Sequence, residues 1–179
     1  MEVYLIRHTT PDVAHGVCYG QSDLQLVPSF QEEFDEIKQK IPPVLDAFYS
    51  SPLVRCRQLA HYLSDEVVID PRLKEYDFGE WELKRWDDIP KAVLDPWMKD
   101  FVNHPAPAGE SMVTMQRRVL AFFADLSLKE YTRVAVITHS VVIRIIRCHL
   151  EKKPLQQAFD IKLNYGEVMK VDLYHSIFK

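Results

Sequence analysis

The chain has 179 residues, 47% of them hydrophobic and 27% charged, with a formal net charge of -4. That length and composition fit a single domain with a sizeable core, and the mild acidity argues against nucleic acid as the main partner, because a phosphate backbone calls for a basic face. The three cysteines, Cys18, Cys56 and Cys148, include no C-x-x-C pair, so neither a disulfide framework nor a cysteine zinc site is expected, and reduced thiols suit the cytoplasm.

The first element is E-V-Y-L-I (2–6), an apolar, β-favouring run read as a buried strand that ends at Arg7 and His8. No basic start with a long apolar run accompanies it, and no stretch nears the length of a membrane span, so neither a secretory signal nor a membrane partner is expected. Residues 9–28 contain Pro11, Gly16, Gly20 and Pro28 and read as a long loop, a feature that in compact domains is usually functional. Phe30, Phe34 and Ile37 predict a helix over 29–40, stopped by Pro42 and Pro43. Residues 44–50 predict a second strand and 53–64 a second helix, with Ser51 as its candidate cap and Pro52 at its first position. A short strand is expected over 67–69, irregular chain over 72–83, and broken helix over 85–102, where Pro90 and Pro96 interrupt. The proline-rich 103–111 leads to a helix over 112–128, capped by Ser111.

R-V-A-V-I-T (133–138) is the clearest buried strand. His139 stands at its end and a helix over 140–150 follows at once. Residues 167–174 alternate apolar with polar and predict a last strand with one face partly exposed. Alternating strands and helices imply an α/β fold: a three-layer sandwich with a central mostly parallel sheet, helices on both faces and a small helical or loop cap insertion. Residues 1–179 form one unit in this reading, with residues about 80–110 as the cap.

His8 and His139 both terminate predicted buried strands, and in open α/β sheets ligands bind beyond the carboxyl ends of the strands. Arg7 adjoins one of them, and the helix amides after the other could meet an anion. Arg55 and Arg57 fall in the first turns of a helix, where a cation opposes the macrodipole; an anion bound beside Arg55 would offset that, whereas Arg57 reads as a solvated surface residue. Tyr76, Phe78 and Trp81 surround Glu75 with the water-poor setting a general acid needs, but Asp77, Glu80 and Glu82 compete for that role and the residues alone do not rank them.

Five segments together resemble the histidine phosphatase (phosphoglycerate mutase-like) superfamily: L-I-R-H-T-T-P (5–11), Y-S-S-P-L-V-R-C-R-Q-L-A (49–60), L-K-E-Y-D-F-G-E-W-E (73–82), P-A-G-E-S-M (107–112) and V-A-V-I-T-H-S (134–140). Within it, R-H-T-T-P-D-V-A-H-G-V-C-Y-G-Q-S-D-L (7–24) is most similar to the opening loop of the α-ribazole phosphatases of cobalamin synthesis. The resemblance implies that His8 accepts the phosphoryl group, that Arg7, Arg55 and His139 bind it, and that Glu75 protonates the leaving oxygen. Gln21 and Ser22 would border the substrate, and Ser140 is expected among the substrate-binding residues with them. It implies hydrolysis without metal or cofactor, a small-molecule phosphate ester as partner, and leaves a homodimer open. Three positions depart from the family: Thr9 and the Ser140-Val141 pair stand where relatives often carry glycine, and Leu83 replaces the glycine of a frequent W-E-G run.

The expected function is therefore dephosphorylation of α-ribazole 5′-phosphate. The alternatives are a sugar-phosphate, nucleotide-like-ester or broad-specificity phosphatase, a mutase using the same chemistry, a non-catalytic phosphate binder, and a metal hydrolase, which the absence of H-x-H or H-E-x-x-H spacing disfavours. Trp81, Trp86 and Trp97 lie in the cap, and at least two of them are expected to anchor it rather than meet substrate.

Overall fold

The computed structural model describes residues 1–178. A five-stranded sheet in the order β3-β2-β4-β1-β5 is built from β1 (Glu2–Arg7), β2 (Ala47–Ser50), β3 (Val68–Ile69), β4 (Arg133–Thr138) and β5 (Val168–Asp172). The first four pair parallel, and β5 runs antiparallel along β1. β4 lies at the centre, and every residue from Val134 to Thr138 is fully buried, as the unbroken apolar run required.

The period of two along the strands distributes the core into two layers. Val3, Leu5, Val134 and Val136 face α4 (Met112–Ser127) and α5 (Ser140–Leu150), meeting Met115, Val119, Phe122, Val142 and Ile145. Ile6, Ala135 and Ile137 face α1 (Phe30–Lys40) and α2 (Val54–Leu63), meeting Phe34, Ile37, Cys56 and Leu59. The result is the expected three-layer α/β sandwich. Between Gly79 and Lys99 the chain makes short 3₁₀ turns and then α3 (Lys91–Lys99), which holds Pro96 within it. Trp81 and Trp97 are buried in the core there, and Trp86 is half-buried.

One local reading needs correction. Ser51 does not cap α2. The cap position falls on Leu53, and the Ser51 hydroxyl instead lies 2.7 Å from Nε2 of His139. Residues 155–160 and 175–178, which show no periodic pattern, fold as 3₁₀ turns. Ser111 does cap α4, its hydroxyl accepting the amide N–H of Thr114 at 3.2 Å.

Because β1, β2 and β4 run parallel, their carboxyl ends share one edge of the sheet. His8, Ser51 and His139 are the first residues beyond those ends, so three stretches of chain far apart in sequence deliver side chains to one place.

Candidate active site

The imidazoles of His8 and His139 stand edge to face with centroids 5.1 Å apart. Nδ1 of His8 lies 2.7 Å from the Thr9 carbonyl, an obligate acceptor, so Nδ1 carries the proton and Nε2 keeps its lone pair. That lone pair accepts Nε–H of Arg55 at 3.3 Å. Burial first, then the Arg55 charge, push His8 well below the ordinary histidine range. Burial, Arg55 and His8 do the same to His139. Both rings are neutral near pH 7.

Arg55 is 0% exposed. Its terminal nitrogens donate to the carbonyls of Ser22 at 2.8 Å and Gly20 at 2.5 Å. Among the described residues no carboxylate lies within ion-pair distance of it. Arg7 donates to the Leu163 carbonyl at 2.7 Å and lies under the ring of Tyr165, 3.9 Å from guanidinium carbon to centroid. The two buried side-chain polar atoms without a hydrogen-bond partner among the described residues, Nε of Arg7 and Oγ1 of Thr9, belong to the residues flanking His8. Unpaired buried donors are costly, and their concentration here marks a place suited to an oxyanion.

Glu75 is 7% exposed. Its carboxylate accepts the amide N–H of Tyr76 at 3.0 Å, that of Val141 at 3.2 Å and the Ser140 hydroxyl at 3.2 Å. The amide of Val141, in the first turn of α5, is thus turned to Glu75 itself. Ser140, one of the departures from the family pattern, is spent on this contact and also accepts from Arg144 at 3.4 Å.

A cavity of about 190 Å³ opens over these groups, with Arg7, His8, Tyr19, Glu75, Ser140 and Arg144 in its wall. Arg55 and His139 both contact His8 but are fully buried and do not line this cavity. The side chains of Gln21 and Ser22 are turned to the protein: Nε2 of Gln21 donates to the Glu75 carbonyl at 3.1 Å, and the Ser22 hydroxyl donates to Glu82 at 2.5 Å. Phe78, Trp86 and Phe159 also line this cavity and continue into a second, apolar one of about 450 Å³ completed by Trp97, Met98 and Phe101.

Sequence reasoning missed Arg144, Tyr165 and Phe159. Arg144 had a signal: it is the one charge in V-V-I-R-I-I on an otherwise buried helix face. Burial pulls its guanidinium down against the opposing pull of Glu75. Tyr165 roofs Arg7 and shares a 2.5 Å hydrogen bond with the Tyr19 hydroxyl, joining two loops that sequence alone does not pair.

The chain is 28% identical over 180 residues to a protein of Hydrogenobacter thermophilus named "Putative phosphoserine phosphatase 2", covering 96% of this chain and 89% of that one. Its structure matches the α-ribazole phosphatase of Shigella flexneri with a TM-score of 0.88 at 24% identity, over 96% of this chain and 90% of that one. It matches a putative α-ribazole-5′-P phosphatase of Escherichia coli with a TM-score of 0.86 at 25% identity, over 95% and 89%. The model of the histidine phosphatase superfamily (branch 1) matches residues 3–179, and the chain belongs to that superfamily.

Proposed function

We propose that the chain hydrolyses phosphate monoesters through a phosphohistidine on Nε2 of His8. The observation that carries this is the fixed tautomer of a neutral imidazole whose Nε2 lone pair accepts from a guanidinium that has no carboxylate partner among the described residues. The phosphoryl group is held by Arg7, Arg55 and His139, arginine being suited by its planar fork of donors. Nε2 attacks phosphorus in line as the bond to the leaving oxygen breaks, and Glu75 gives that oxygen its proton. Water then attacks the phosphohistidine, Glu75 takes up a proton from it, and inorganic phosphate leaves.

For the substrate we favour α-ribazole 5′-phosphate, whose leaving group is α-ribazole. The apolar basin walled by Phe78, Trp86, Trp97, Met98, Phe101 and Phe159 supports this, because it adjoins the catalytic cavity and suits a flat, apolar base. Arg144, beside Glu75, supports a second reading, in which the leaving group carries a carboxylate as in phosphoserine. Three buried free thiols fit a reducing compartment, and no helix among the described residues is long and apolar enough to cross a membrane.

The test is kcat/KM across α-ribazole 5′-phosphate, phosphoserine, 3-phosphoglycerate and p-nitrophenyl phosphate. A preference of tenfold or more for the first, on the order of one good apolar contact, is expected. Equal values would remove the α-ribazole assignment, and no phosphate release from any ester would remove the phosphatase reading.

A further inference from the structure

Glu82 was a rival for the proton donor, yet it does not line the catalytic cavity. Its carboxylate is the hub of a clamp. It accepts the amide N–H groups of Gly20 and Gln21, both at 2.9 Å, of Ser22 at 3.1 Å and of Phe78 at 3.2 Å, and the Ser22 hydroxyl at 2.5 Å. Burial pushes this carboxyl up, but the Ser22 hydroxyl and the three loop amides outweigh it and hold the group below the ordinary glutamate value. The loop is pressed so closely on the Glu75 segment that a β-carbon at Gly20 would fall 1.8 Å from the Tyr76 carbonyl oxygen.

The far side of the same loop holds Arg55. One peptide group, between Gly20 and Gln21, donates its N–H to Glu82 and accepts Nη2 of Arg55 on its carbonyl. A peptide bonded to a carboxylate through N–H is polarised, which makes its oxygen a better acceptor. A carboxylate placed directly on Arg55 would compete with a phosphoryl group for the same donors. Placed one peptide away, it fixes the guanidinium while leaving its charge to the substrate.

We propose that Glu82 is a positioning residue for the phosphoryl subsite, acting through the Gly20–Ser22 backbone on the guanidinium of Arg55. This rests on the phosphatase reading above. The test is a double-mutant cycle in the full chain with Glu82→Gln, Arg55→Lys and the pair, reading kcat/KM for p-nitrophenyl phosphate and Ki for inorganic phosphate. Glutamine matches the shape but turns an N–H₂ toward donors. Alone it should lower kcat/KM by roughly 10–100-fold and raise Ki for phosphate, as loss of an outer-shell partner does elsewhere. In the Arg55→Lys background, where no fork remains to orient, it should cost less than about threefold. The same fold loss in both backgrounds, or an unchanged Ki, would overturn the proposal. If Glu82→Gln does not fold, Glu82→Asp and Ser22→Ala are taken through the same cycle and decide by the same criterion. A wild-type chain without turnover would instead defeat the phosphatase reading, and phosphate affinity by calorimetry would still read the clamp.

Discussion

Nε of Arg55 donates to Nε2 of His8 across 3.3 Å, so the cation meets the imidazole at the nitrogen that is not tied to the backbone. A phosphoryl group entering here would separate the pair and engage both. His8→Ala should therefore abolish turnover, by about 10⁴-fold or more, as removal of a nucleophile generally does. Rapid quenching should find an acid-labile phosphoenzyme in the wild type and none in the variant. Near-normal activity in His8→Ala would rule out the nucleophile.

Acid should weaken the fold from about pH 6.5 downward. The unfolded chain takes up protons on His8 and His139 at the ordinary histidine value near 6.5, whereas the folded chain, with both values depressed, does not. Stability from this source is thus full above pH 6.5 and declines as pH falls toward the folded values, by up to about 1.4 kcal/mol per pH unit for each ring. Urea midpoints at pH 7 and 5.5 measure it, and His139→Asn should flatten the difference. An unchanged slope would contradict neutral burial of that ring.

Leu83 holds φ at +64° with its side chain 59% exposed. A left-handed conformation costs a residue with a β-carbon roughly 1–2 kcal/mol, and little burial offsets it here. Leu83→Gly should raise stability by up to about 1 kcal/mol, or about 2–4 °C in Tm for a chain of this size. Calorimetric scans compare the two directly, and a lower Tm would show that the leucine is worth more than its strain.

Trp86→Ala and Phe159→Ala should separate leaving-group recognition from chemistry, because both residues bridge the catalytic cavity and the apolar basin. Each should lower kcat/KM for α-ribazole 5′-phosphate by on the order of tenfold, while p-nitrophenyl phosphate, which is too small to span both cavities, changes little. Equal losses on both esters would place the effect on the fold rather than on the base.

Excess EDTA should leave the rate of p-nitrophenyl phosphate hydrolysis unaltered, since fixed guanidinium groups supply the charge on the phosphoryl oxygens in the proposed scheme. Loss of activity restored by a divalent ion would refute it.

The layers of the fold were readable because β4 is a continuous apolar run and the helices carry clear apolar stripes, and His8 and His139 were readable because each directly follows such a strand. Other features depend on where distant segments meet. Ser51 looked like a helix cap because local chemistry favours that use, and only the parallel pairing of β2 with β4 sets it beside His139. Glu82 could not be distinguished from Glu75 by its neighbours in sequence, since its donors come from a loop some sixty positions earlier. Tyr165 and Phe159 lie in a stretch of 3₁₀ turn and loop with no period to place them.

Cys56 lies 3.5 Å from Nε2 of His139, close enough to suggest a thiol–imidazole couple, yet burial pushes that thiol far up and keeps it protonated. Cys18, pushed up to about 12, and Cys148 are held in the same direction by burial. Alkylating agents and peroxide need a thiolate to attack. In the proposed chemistry sulfur has no part, so phosphate release should persist after peroxide treatment that modifies accessible thiolates.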